Sequence, residues 1–202
     1  MQNMDGSEHR AGKRLTQAIT ADTSRNDLLK IAGGGVLSGI LTPLLPLLTD
    51  MISGAPADIR LALVALPFAI LVFIVVRRCS ANPNWAALLA AVVTMIAFVC
   101  AVNAAIFIDG QANGAVKVMR NILAGLAGGL VGTAVMALGI ALLPAGPRNV
   151  AAWLPMLMTG AVAGTLLALD SALELDLTSV LYPVWQAAVA VRLALVLRTK
   201  SA

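Results

Sequence analysis

Apolar residues fall into six long runs separated by short polar breaks, at 31–48, 61–76, 85–108, 122–144, 150–169 and 180–197. A helix rises 1.5 Å per residue and a hydrocarbon core is about 30 Å thick, so roughly 20 residues cross it and 17–25 is the ordinary range. The second run is the short one and needs its flanks, or a slightly thinned bilayer, to span. The pattern predicts an all-α polytopic membrane protein: a six-transmembrane-helix bundle over 28–200 behind a polar, basic tail at 1–27.

The tail does not read as a cleavable signal. Its charges continue to Lys30, the run that follows is long enough to span, and no small-x-small cleavage site comes after it. Ala11, Leu15, Ala18 and Ile19 sit at helical spacing opposite Lys13, Arg14 and Gln17, a face that can lie on an anionic leaflet; a solvated tail is the commoner outcome for so weak a stripe. Ser24-Arg25-Asn26-Asp27 has capping-box spacing and places Ser24 at the start of the first helix.

Composition removes the competing classes. The chain is 59% apolar and 12% charged, with a mean hydropathy of +0.90, whereas soluble domains carry about 45–50% apolar and about 25% charged residues. A soluble enzyme, a disordered chain and a disulfide scaffold are excluded. Charge placement then sets orientation. With the N-terminus inside, ten Lys and Arg fall in cytoplasmic segments (Arg10, Lys13, Arg14, Arg25, Lys30, Arg77, Arg78, Arg148, Arg198, Lys200), three outside (Arg60, Lys117, Arg120) and one, Arg192, within the last run. This positive-inside bias predicts a multi-pass protein of the cell inner (plasma) membrane with both termini cytoplasmic. The net charge of +4 therefore reflects topology, and nucleic acid is not an expected partner. Trp85 and Trp153 on the cytoplasmic side, and Tyr182 and Trp185 on the other, read as interfacial anchors.

Matching punctuation suggests two inverted three-helix repeats, 28–108 and 118–200. Ala32-Gly33-Gly34-Gly35 with Leu44-Leu45-Pro46 pairs with Ala127-Gly128-Gly129 and Leu142-Leu143-Pro144. Arg60 with Pro67 pairs with Arg148 and Pro155 at identical spacing, and Pro83-Asn84-Trp85 pairs with Pro183-Val184-Trp185. An odd number of spans per repeat inverts the second copy, as in many secondary transporters. Chance matching of common residues in apolar helices is the competing explanation. Gly35 and Gly39, then Gly125, Gly128, Gly129 and Gly132, then Gly160 and Gly164 form small-residue stripes that let helix backbones approach, and the first span is expected to pack on the fourth. Pro43 and Pro46 predict a disturbance near Thr42, and Pro67 and Pro155 predict bends in the second and fifth spans.

Candidate chemistry is sparse. The only histidine, His9, is in the tail, and neither Cys79 nor Cys100 has a base or orienting group in view, so no catalytic residue, metal site or cofactor is expected. No Asp or Glu lies inside a span, which disfavours carboxylate coupling. Asp170, Glu174 and Asp176 read as a solvated turn. The polar residues near mid-span are Ser38, Thr42, Thr94, Thr133, Thr159 and Gln186; most hydroxyls there bond the carbonyl one turn back, whereas the Gln186 amide needs a neighbour. Arg192 lies five residues from the end of its run, within snorkelling reach of the headgroups.

Six helices behind a short basic tail resemble, in outline only, small permeases and the membrane-bound anti-sigma regulators of bacteria, and no motif carries a site over from either. The expected function is a small transporter or channel-like permease for a neutral or anionic solute, with Thr42, Thr133, Gln186 and Arg192 as substrate contacts. The alternative is a non-transporting regulator or scaffold that binds a cytoplasmic protein through its tail. Expected partners are the lipid bilayer, a second copy of the chain and that cytoplasmic protein.

Overall fold

Proline and glycine place most of the boundaries. The structure, a computed structural model, describes residues 24–46, 56–175 and 179–198, and every regular element among them is a helix. Helix α1 spans Ser24–Leu44 and tightens into a 3-10 turn at Thr42–Leu44, where Pro43 can supply no N–H. The expected disturbance near Thr42 is therefore present. The helix also begins earlier than the apolar run, so Ser24 to Asp27 belong to it.

Helices α2 (Ala57–Val64) and α3 (Leu66–Cys79) meet at 53° across Ala65, with Pro67 in the first turn of α3. Helices α4 (Asn84–Gln111) and α5 (Lys117–Ala141) follow, each unbroken. Asn149 caps α6 (Val150–Gly164), its side chain accepting from Ala151 N at 3.0 Å. Pro155 lies inside α6 without ending it; the interruption comes at Thr165–Leu166, before α7 (Leu167–Ala172). Helix α8 spans Leu181–Arg198. Five helices, with α6 and α7 counted as one, are long and apolar enough to cross a membrane, and the bent pair α2–α3 makes up to six.

The repeat suggested by the sequence is not reproduced in detail. Pro67 sits at a sharp break and its counterpart Pro155 inside a continuous helix, while the supposed counterparts α4 and α8 have 28 and 18 residues.

Two seams of backbone contact organise the bundle, and neither joins the first span to the fourth. A Cβ on Gly35 would run into the backbone of Ala187, and one on Gly39 into that of Pro183. Arg198 Nη1 donates to Ser24 Oγ at 3.1 Å, and its Nη2 lies 3.3 Å from Asp27 Oδ2. Moving up α1 thus moves down α8, and the two run antiparallel with their backbones touching. On the second seam, Gly125 meets the carbonyl of Gly164 and Gly129 that of Gly160, so α5 lies against α6 in the same manner. Gly128 and Gly132 turn instead toward Ala101 and Ala97 of α4. Glycine at these positions is required by space, since lipid gives helices no hydrophobic drive to associate and close dispersion contact must replace it. The packing on α8 overturns the expected first-to-fourth contact. Both stripes pack closely, each on another neighbour, because a stripe states that something approaches and not which helix does.

Side chains of Val72, Met136, Met156, Val189 and Leu193 fill the centre, while Leu37, Leu88, Phe107 and Leu138 are exposed on the outside. An apolar coat around a packed interior is what lipid as solvent requires. At one end, the Asn82 side chain accepts from Ala145 N at 2.9 Å and ties the α3–α4 connection to the α5–α6 connection. At the other end, Arg120 Nε lies 2.7 Å from Asp109 Oδ1 across the α4–α5 turn.

Asp170, expected to be part of a solvated turn, has a structural task. Its carboxylate accepts from the Ser179 hydroxyl and from Val180 N at 2.8 Å, placing negative charge at the start of α8, where the helix dipole favours it. Replacing Asp170 by Ala is expected to lower stability by about 0.5–2 kcal/mol, the usual range for a lost cap. Thermal unfolding in detergent reads this directly, and Asp170→Asn, which keeps one acceptor, is expected to lose less.

Candidate functional site

The polar residues singled out near mid-span separate into a cluster and outliers. Gln186 on α8 faces α1, where Gly35 and Gly39 have brought the two backbones together. Its Nε2 donates to Thr42 Oγ1 at 2.9 Å, and its Oε1 accepts from Ser38 Oγ at 2.6 Å. Thr42 Oγ1 in turn donates to Ser38 O at 2.9 Å. All three residues are buried. The result is a polar clasp between the first and last helices, in which each hydroxyl and one N–H of the amide are used. An amide in a membrane interior without partners is costly, and here the partners are one turn apart on a single helix.

Thr133 is not part of this group. Its hydroxyl bonds Gly129 O at 2.7 Å, one turn back on α5, and its methyl fills the space over Gly160. Arg192 is exposed on α8. Thr94 and Thr159 also bond back, to Ala90 O and Pro155 O, as does Asn103 Nδ2 to Val99 O. Of the four expected contacts, Thr42 and Gln186 are brought together and Thr133 and Arg192 are held elsewhere. No group of metal-ligating side chains occurs among the described residues. The Ser24 hydroxyl accepts from Arg198 Nη1. His9, Asp176 and the tail face at 11–19 lie outside the described residues.

Behind the clasp is a cavity of about 280 Å³ between α4, α5, α7 and α8. Phe68, Thr94, Met136 and Gln186 close its deep end, and Ile106, Leu167 and Leu181 line the end toward the α4 C-terminus. Four of the chain's eight aromatic residues (four Phe, three Trp, one Tyr) line it. Phe68 meets Trp185 edge-on with ring centroids 5.5 Å apart, and Phe98 lies 6.1 Å from Tyr182. Trp185 Nε1 donates to Gly160 O at 3.1 Å, so its polar atom is committed and its ring is left for the cavity. Among the described residues, no charged side chain contributes to the lining.

Tyr182 and Trp185 are thus cavity residues where interfacial anchoring was expected. Trp153 also departs from that expectation, being buried with Nε1 donating to Pro147 O at 2.9 Å, while Trp85 is exposed as an anchor should be. The aromatic wall was missed in the sequence because Tyr182 and Trp185 were read by their nearness to a run's end, and Phe68 and Phe98 sit inside apolar runs where a ring is commonplace. The available signal was that aromatics are only 4% of the chain, yet half of them stand on the halves of α3, α4 and α8 that face one another.

Chemically, the arrangement offers a largely apolar compartment whose polar lining residues, among those described, are Thr94, Tyr182, Trp185 and Gln186. In comparisons with family models, curated proteins and solved structures, nothing matches this chain.

Proposed function

We propose that this chain is an inner-membrane protein that crosses six times with both ends cytoplasmic, and that its bundle is a small permease for neutral molecules with a substantial apolar part. Parity supports the crossing number. Ser24 and Asp27 at the start of α1 lie beside Arg198 at the end of α8, and a chain whose two ends share a face crosses an even number of times. The bent pair α2–α3 then supplies the sixth crossing. The face carrying those ends also carries Arg77, Arg78 and Arg148, in keeping with a cytoplasmic assignment.

The observation that carries the permease reading is the uncharged cavity in the half of the bundle away from that face. Apolar walls with a few polar groups are the ordinary lining of small-molecule sites. None of the described lining residues is Lys or Arg, which favours a neutral solute over the anionic one also considered from sequence. A molecule with both an apolar body and polar groups is one for which help is useful, because its polar part is costly to carry through hydrocarbon.

One observation favours the regulator instead: the mid-span hydroxyls described above are all bonded within the protein, so no string of free polar groups marks a route. In that reading the tail binds a cytoplasmic protein and the bundle anchors it. Reconstituted vesicles separate the two. A nitrobenzoxadiazole-labelled neutral amphiphile is expected to become accessible to external dithionite several-fold faster with the protein than in empty vesicles, and deletion of residues 1–23 is expected to leave that rate unchanged. Rates equal to empty vesicles would remove the permease reading in favour of the regulator.

A further inference from the structure

We propose that the cavity receives one acyl chain of a bilayer lipid, entering between α4 and α8 from the leaflet away from the Ser24–Arg198 end. This rests on the reading of the cavity as a ligand site and names the ligand's class.

Shape is the first argument. On α4 the lining runs from Thr94 to Ile106, thirteen residues whose twelve rises make roughly 18 Å of helix, so the space is long and parallel to the helices as well as apolar. Its volume of about 280 Å³ is nearly twice the ~150 Å³ of a dry cavity that holds one benzene. A round solute would leave its length unused, whereas an extended hydrocarbon chain matches both dimensions.

Access is the second. Ile106 is 64% exposed although it lines the cavity, and Phe98 and Val102 beside it on α4 are half-buried. The wall is therefore thin on the α4 side. Along the α4–α8 cleft the two helices meet through the Phe98 and Tyr182 rings, not through a glycine seam such as those joining α1 to α8 and α5 to α6. Side chains turn about χ angles, whereas backbone seams do not yield. At this depth the neighbouring medium is acyl chain, which meets an uncharged aromatic and aliphatic surface without losing any hydrogen bond.

Trp185 lines the cavity and reports on it. Trp85, exposed on α4, is removed as Trp85→Phe to lower the background, and Trp153, near the opposite end, stays as an internal reference. In vesicles of phosphatidylcholine with dibrominated acyl chains, Trp185 is expected to be quenched, and Val102→Phe, which fills the cavity from its thin wall, is expected to at least halve that quenching. Ile106→Phe, at an exposed position that tolerates a larger side chain, is expected to act in the same direction should Val102→Phe impair folding. Trichloroethanol, a small neutral quencher, is the second arm. Quenching by brominated lipid that neither substitution alters would overturn the acyl-chain proposal. If trichloroethanol quenching is still sensitive to Val102→Phe, the neutral-solute reading stands without it. If neither quencher responds to the substitutions, both fall.

Discussion

Gly129→Leu is expected to abolish the folded bundle. Gly129 lies where α5 and α6 touch, and a Cβ there would sit inside contact distance of the Gly160 carbonyl and 3.2 Å from Gly164 Cα. Ordinary overpacking costs about 1–3 kcal/mol because flexible side chains give way. Here the obstacle is backbone, and relief requires moving α6 away from α5 along the whole seam, including the neighbouring contact of Gly125 with Gly164. The loss is expected to exceed the upper end of that range. Gly33→Ala is the control: nothing lies within 4 Å of a Cβ at Gly33, and Ala is the better helix former by about 0.8–1 kcal/mol. Size-exclusion profiles and thermal midpoints in detergent are expected to show Gly129→Leu aggregated and Gly33→Ala at least as stable as the parent. A normal, monodisperse Gly129→Leu protein would show that the α5–α6 seam is not as drawn.

The second large effect is an asymmetry within the clasp. Gln186→Leu removes the amide, but Thr42 keeps its bond to Ser38 O, and the Ser38 hydroxyl has Gly35 O at 3.0 Å as a second acceptor. What is lost is interhelical bonding, which averages about 0.6 kcal/mol and reaches about 1.7 in membrane bundles. The paired change Ser38→Ala with Thr42→Val acts from the other side and leaves the Gln186 amide buried without either described partner. A buried polar group so stranded costs about 1–3 kcal/mol. The double substitution is therefore expected to lower the thermal midpoint more than Gln186→Leu, and combining all three is expected to recover part of the loss. Equal or reversed effects would mean that the clasp does not hold α1 to α8.

Most of the fold was legible because lipid as solvent writes itself into run lengths. The third and sixth runs coincide with α4 and α8 to within a few residues, since nothing but length and hydropathy decides them. Local backbone chemistry was legible too: Pro43 gives the 3-10 turn, and Pro67 stands at the bend between α2 and α3. Pro155, in the second turn of α6, leaves that helix continuous, whereas the Thr165–Leu166 interruption carries no breaker residue. Partner choice could not be read from the stripes. Gly35 and Gly39 state that a backbone comes close, but only the three-dimensional register with Ala187 and Pro183 says which one. Gln186 was recognisable as needing a partner across helices, and Thr42 is that partner. Thr133 looked equivalent in sequence, and both hydroxyls donate one turn back; Thr42 differs because its oxygen also accepts from Gln186 across the α1–α8 seam.

The six-crossing arrangement with both ends on one face is the central claim, and cysteine accessibility tests it most directly. In a background with Cys79 and Cys100 replaced, single cysteines at Ser80, Gly114, Ala145 and Glu174 are probed in intact cells with a membrane-impermeant maleimide. The account predicts labelling at Gly114 and Glu174 only, with Ser80 and Ala145 reacting after the membrane is opened. Labelling of Ser80 from outside together with Gly114, or of Glu174 only from the cytoplasmic side, would contradict it.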